Sequence, residues 1–214
     1  MTLKLYEIML GIFLLTGFFA PSIQATTNKN NQKINVGHKT FNIPFAPVPQ
    51  TKIKILYVNL KDNIELIQAL AAEIAAYINA NRGKIDVIIT PESNTIAIAY
   101  AVYEKTKIPY IVLTKKQRPD MGPKAISVPV KSITTAGNQT LWISEDNIEA
   151  IKGKKVLILD DVVSTGNTLA AMKELVGMAG GKLILNPLVC FCEGEKRSDV
   201  TAVSDTVLPV IPVS

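Results

Sequence analysis

The chain has 214 residues, 48% hydrophobic and 19% charged, enough to bury one sizeable core, so a single domain with a short appendage is expected. Two cysteines exclude a disulfide scaffold, and the single histidine, His38, excludes a multi-histidine metal site and most nucleophile–histidine triads. The formal net charge of +5 is a mild excess, and its basic residues do not interleave with aromatics as in a nucleic-acid stripe, which leaves a solvated surface or a small anionic ligand.

Residues 8–20 (IMLGIFLLTGFFA) are an uncharged run of thirteen, short of the roughly 20 that span a bilayer as a helix. Lys4 precedes the run, and Ile-Gln-Ala closes at Ala25, the layout of a secretory signal peptide. Glu7 and the large Ile23 are irregular for such a peptide, and an N-terminal membrane anchor is the alternative. A secreted or periplasmic protein is therefore expected, or an anchored one; a cytoplasmic protein requires a start further along the chain. Residues 26–35 (TTNKNNQKIN) read as a polar linker, and 36–214 as the folded domain.

Residues 53–59 (IKILYVN) read as a strand. Asp62 is the expected N-cap of an Ala-rich amphipathic helix that runs to about residue 80, with Gly83 beyond it. Residues 85–90 (IDVIIT) have the apolar run of a buried strand. A loop at 91–94 leads into a helix to about residue 105, then a strand at 110–114 and a polar loop at 115–123. Residues 125–133 and 139–143 flank Ala136-Gly137-Asn138, a hairpin signal. Residues 156–159 (VLIL) are a strand, 168–179 a helix ending at Gly180-Gly181, and 183–191 a further strand. Strands and helices alternate, so the expected fold class is α/β, a Rossmann-like parallel sheet flanked by helices with a hairpin flap.

The chemistry concentrates in VLILDDVVSTGNT, residues 156–168. Asp160 and Asp161 close an apolar strand; Ser164, Thr165, Gly166, Asn167 and Thr168 follow and open a helix. In open α/β sheets a ligand lies outside the carboxyl ends of the strands. A Gly-containing turn at a helix start offers N–H groups, hydroxyls and the positive dipole end to an anion. Two acids just before it suit vicinal hydroxyls or a cation, so the pattern reads as a sugar-phosphate site. A Walker B strand is excluded because no Gly-x4-Gly-Lys-Ser/Thr loop is present.

LILDDVVSTGNT resembles the phosphoribosyl-pyrophosphate (PRPP) motif of type I phosphoribosyltransferases. TPESN at 90–94 is similar to that family's pyrophosphate loop. IVLTKKQRP (111–119) and KSITTAGNQTLWIS (131–144) resemble the flexible-loop hairpin of its adenine and xanthine branch. The resemblance implies that Asp160 and Asp161 hold the ribose hydroxyls and that residues 164–168 cradle the 5′-phosphate. It places Glu92 and Ser93 in the pyrophosphate loop and Lys115 on the diphosphate, with Glu92 and Lys115 as the catalytic candidates. Lys116 and Arg118 are further cations for PRPP on a loop that closes over the site. Mg²⁺ is the implied cofactor, held largely by substrate and water and reached by Asp160 and Asp161 only indirectly. The partners implied are PRPP and a purine base, adenine first and xanthine or guanine next, in a homodimer. A catalytically silent PRPP-binding regulator is the alternative.

Two departures stand out. Where the branch often has Arg or Lys and then Gly, this chain has Asn94 and Thr95. The change removes a cation and adds a Cβ, at a cost of about 1.5–3 kcal/mol for each charge-assisted hydrogen bond lost. Ser164 stands where hypoxanthine–guanine enzymes carry an acid near the purine N7. For the base, FNIPF at 41–45 offers Phe45 on a stiff apolar flap; packing of Phe41 and Phe45 on the core edge is the equal alternative. His38 reads as a surface residue. Cys190 and Cys192, two apart on a strand, read as small buried thiols rather than a disulfide.

Overall fold

The computed structural model describes residues 31–49, 51–130 and 139–212. In chain order its strands and helices are β1 (Asn31–Val36), β2 (Lys39–Pro47), β3 (Ile53–Leu56), α1 (Ile64–Ala80), β4 (Val87–Pro91), α2 (Ile96–Thr106), β5 (Tyr110–Leu113), β6 (Ile126–Val130), β7 (Gln139–Ile143), α3 (Glu145–Ile151), β8 (Lys155–Val163), α4 (Asn167–Met178), β9 (Lys182–Leu183), β10 (Leu188–Glu193), β11 (Thr201–Ala202), β12 (Val207–Leu208) and β13 (Val210–Pro212). The leader at 1–25 and the turn at 136–138 lie outside the described residues.

β4 is buried along its whole length, which an interior parallel strand covered on both faces requires. The sheet runs β11-β10-β8-β4-β5, with β12 beside β10 and β9 beside β8, all parallel. Side chains of β8 alternate between two cores. Leu157 and Leu159 join α1, α2, β1 and β2, while Val156 and Ile158 join α4 and the β6–β7 hairpin. α1 buries Leu66, Ile67, Leu70, Ile74 and Ile78 at helical spacing. Its cap is Asn63, whose side chain accepts from the Leu66 N–H at 3.1 Å. The expected cap, Asp62, instead accepts from Asn59 at 2.8 Å.

The sheet chain order sets the site. β4 leads outward to β5, and β8 leads outward to β10 on the other side, so the switch point lies between β4 and β8. Those two strands pair only as far as Ile89 and Ile158. Beyond that register β8 continues against β10 alone, through Val163.

Three expectations change. The linker over 26–35 gives way at Asn31 to β1, where Ile34 and Val36 are buried between polar neighbours. β3 is not part of the parallel sheet; it lies in an antiparallel sheet ordered β1-β2-β3-β13. The single strand over 183–191 is two, β9 and β10, because Pro187 has no N–H to continue a ladder. The β6–β7 pairing is antiparallel, as a hairpin requires. His38 is exposed. No helix among the described residues is long and apolar enough to cross a membrane.

Candidate functional site

β8 is longer than the sequence suggests. Asp160 and Asp161 are inside its C-terminal half, not beyond its end. Asp160 is 4% exposed; its Oδ1 accepts from the Asp161 backbone N–H at 2.9 Å and from the Thr95 hydroxyl at 3.4 Å. Burial, and then the neighbouring charge of Asp161, push the Asp160 carboxyl well above the usual carboxylate range. Asp161 is partly exposed and accepts a hydrogen bond from the Asn94 amide.

After β8 the chain turns through Ser164 and Thr165 to Gly166, the N-cap of α4, at φ +81°. Residues 162–169 and Asp160 line a cavity of about 140 Å³ at this helix start. The acids and the loop residues Ser164, Thr165, Gly166, Asn167 and Thr168 are therefore brought together at the switch point. A cavity at a helix N-terminus suits an oxyanion, and acids beside it suit hydroxyls.

Arg197 also belongs here, and the sequence reading missed it. Its Nη1 donates to the carbonyls of Ser164 (3.4 Å) and Thr165 (3.3 Å). Its Nε and Nη2 hold Asp199 at 2.9 and 3.0 Å, and Lys173 of α4 lies 3.9 Å from the same carboxylate. The Arg197 hydrogen bonds hold the Asp199 carboxyl below its ordinary value. A Cβ at Gly166 would stand 2.8 Å from Arg197 Nη2. Gly166→Ala should therefore cost about 1–2 kcal/mol through its left-handed backbone alone, and displace Arg197 as well. A lower melting temperature together with weaker phosphate binding checks this; an unchanged melting temperature contradicts it.

The loop after β4 supplies the opposite wall. The Glu92–Ser93 peptide is cis and Ser93 is exposed. The Glu92 carboxylate accepts from the Lys115 backbone N–H, and the Glu92 N–H donates to Leu113 at 2.9 Å. Glu92 thus ties two loops together. Lys115 and Lys116 are exposed, and the Lys116 carbonyl accepts from the Thr114 hydroxyl at 2.8 Å. Arg118 is also exposed, but its guanidinium pairs with Asp120 at 3.0 and 3.1 Å, so reaching an anion requires exchanging that partner.

Thr95 occupies the N-cap of α2 without capping it. A threonine cap contributes typically ~1 kcal/mol; this hydroxyl goes to Asp160 instead. The residues read as departures are thus the partners of the two acids.

Phe45, the residue proposed for the base, lies on strand β2. It packs half-buried on the core edge, with Lys54 Nζ 5.2 Å from its ring centroid, in a strand paired on both sides. Glu193, at the end of β10, is a second residue the sequence did not single out. Burial pushes its carboxyl above the usual range. Cys190 and Cys192 are free, buried thiols. Burial, then the charges of Asp161 and Asp160, push the Cys190 thiol up. Cys190 should stay unlabelled by iodoacetamide in the folded chain at neutral pH and react once the chain is denatured; labelling of the folded chain contradicts this packing.

Comparison with known proteins agrees with this geometry. The phosphoribosyl transferase domain family matches residues 59–208. A hypoxanthine/guanine phosphoribosyltransferase of Methanococcus voltae is 34% identical over 141 residues, 65% of this chain and 68% of that protein. Its namesake in Methanococcus vannielii is 33% identical over 129 residues, 60% of this chain and 63% of that protein, so the chain spans about two thirds of these relatives' length. The crystal structure of adenine phosphoribosyltransferase from Thermoanaerobacter pseudethanolicus shares the fold, with a TM-score of 0.56 at 21% identity over 71% of this chain and 84% of that one.

Proposed function

The chain belongs to the phosphoribosyltransferase family, whose members are glycosyltransferase-type enzymes, and we propose that it transfers phosphoribosyl from PRPP to a purine base with release of pyrophosphate. The observation that carries this reading is the juxtaposition at one sheet switch point of an acid pair and a helix-capping cavity. The ribose diol rests on Asp160 and Asp161, and the 5′-phosphate enters the loop of residues 164–168. The exposed amines of Lys115 and Lys116 meet the diphosphate.

Displacement at C1′ builds positive charge on the ribose ring and negative charge on the leaving diphosphate. The chain's task is to orient the reactants and meet that negative charge with cations. Among the described residues no cluster of three or more His, Cys, Asp or Glu side chains is placed to hold a metal. One partly exposed carboxylate beside a buried one fits Mg²⁺ held mainly by substrate and water, which Asp160 and Asp161 would reach indirectly. When bound, the ion supplies charge neutralisation of the diphosphate.

The proposed base is hypoxanthine or guanine ahead of adenine. Two things support this. The curated relatives named above are hypoxanthine/guanine enzymes, whereas the adenine likeness concerns the fold alone. Glu193, partly buried at the end of β10, is the acid proposed for the purine in place of one at position 164. The test is chromatographic detection of nucleoside monophosphate from PRPP, Mg²⁺ and each of hypoxanthine, guanine, adenine and xanthine. Inosine or guanosine monophosphate is the expected product. Adenosine monophosphate alone overturns the base assignment, and no product from any base overturns the transferase reading in favour of a silent PRPP-binding protein.

A further inference from the structure

Asn94 links three separate segments. Its amide nitrogen donates to the Val58 carbonyl at 3.0 Å and to Asp161 Oδ2, and its carbonyl oxygen accepts from the Leu60 N–H at 3.1 Å. Val58 and Leu60 are themselves buried in the core, 4% and 0% exposed. A continuous path therefore runs from packed side chains, through a rigid stretch of backbone, to one carboxylate of the site. Both amide hydrogens of Asn94 are used, and the Leu60 N–H depends on its carbonyl.

Residue chemistry narrows what can stand there. Arg or Lys has no acceptor for the Leu60 N–H, and Asp has no donor for Asp161 or Val58 and adds a like charge. An ionised carboxylate offers about four lone-pair sites, so the bond from Asn94 leaves most of Asp161 available to a sugar hydroxyl. Thr95 does the same for Asp160 through its hydroxyl.

We propose that Asn94 is a positioning residue that holds Asp161 in the orientation the ribose diol requires, in place of a loop cation directed at the diphosphate. This rests on the reading above that PRPP places its diol on Asp160 and Asp161. The Asn94-Thr95 pair is then an alternative construction of the site and not a deficit. Diphosphate binding falls to the Lys115–Lys116 loop.

The test compares wild type, Asn94→Leu and Asn94→Arg in the full chain. Three quantities are read: PRPP affinity with Mg²⁺, inorganic phosphate affinity at the loop, and kcat at saturating PRPP. Asn94→Leu loses the hydrogen bond to Asp161 and should weaken PRPP binding about ten- to a hundredfold, and Asn94→Arg, which keeps donors for Asp161 but leaves the Leu60 N–H without its acceptor and so shifts the loop, should weaken it as well. Phosphate affinity should be unchanged, and KM should move more than kcat. Asn94→Arg binding PRPP as tightly as wild type, or tighter, overturns the proposal. An equal loss of phosphate affinity also overturns it, because that is collapse of the site and not misplacement of one acid. If Asn94→Leu does not fold, the smaller and equally neutral Asn94→Ala carries the same comparison. Wild type that binds phosphate but no PRPP sinks the functional reading itself, whereas failure confined to the variants falls on Asn94 alone.

Discussion

Asp160→Asn is expected to weaken PRPP binding about ten- to 150-fold while making the folded chain more stable at neutral pH. Burial and the adjacent Asp161 raise the Asp160 carboxyl above its ordinary range, so between that range and the raised value the folded chain binds more protons than the unfolded one. Stability then falls as pH rises through this window, because ionisation places a charge where burial disfavours it. The asparagine removes the charge and keeps the shape. A higher melting temperature than wild type at neutral pH is expected. The gain should shrink as the pH is lowered, because the wild-type acid is then protonated in both states. For binding, loss of an acid that receives a ribose hydroxyl costs about 1.5–3 kcal/mol per charged hydrogen bond. Asp160→Asn with Asp161→Asn should therefore weaken PRPP by about 10²- to 10⁴-fold. A double variant that binds PRPP like wild type removes the acids from the site; a single variant less stable than wild type at neutral pH contradicts the burial argument.

Lys115→Ala should slow turnover far more than it weakens PRPP. The Lys115 backbone is anchored by Glu92 across the two loops, while its side chain is exposed toward solvent. A cation at that place matters most when the diphosphate departs and its charge grows. By analogy with removal of one preorganised donor, a drop of about 10²- to 10³-fold in kcat is expected with PRPP affinity changed much less. Pre-steady-state pyrophosphate release separates the two quantities. An unchanged rate removes Lys115 from the mechanism; an equal loss in affinity and rate assigns it to ground-state binding. Glu92→Gln should lower the rate less, since Glu92 acts through the Lys115 backbone.

Much of this site was legible because its parts are local. The apolar strand, the two acids and the Thr-Gly turn lie within thirteen consecutive residues, and their chemistry follows from where such a stretch must sit in an α/β sheet. What escaped the sequence is what depends on distant partners. Asn94 bonds to positions 34, 36 and 67 residues away, so as a string it showed only a missing cation. Arg197 reaches carbonyls 32 and 33 residues away; the charged stretch after Cys192 was visible, but nothing in it marks which charge turns inward. β1 was read as linker because its asparagines and lysines dominate the composition. The period-two burial of Ile34 and Val36 was present, but short for the eye and next to a polar run. Phe45 shows the reverse case. An aromatic beside proline suggested a flap, whereas the ladder between β1, β2 and β3 makes it a strand residue.

The Asp160–Thr168 crevice as a PRPP site is tested most directly by calorimetric titration of the full chain with PRPP and Mg²⁺, repeated in the presence of excess inorganic phosphate. Saturable binding of one PRPP per chain, competed by phosphate and absent in the Asp160→Asn, Asp161→Asn double variant, is the expected result. No saturable binding at millimolar PRPP, or binding that the double variant retains, contradicts the assignment.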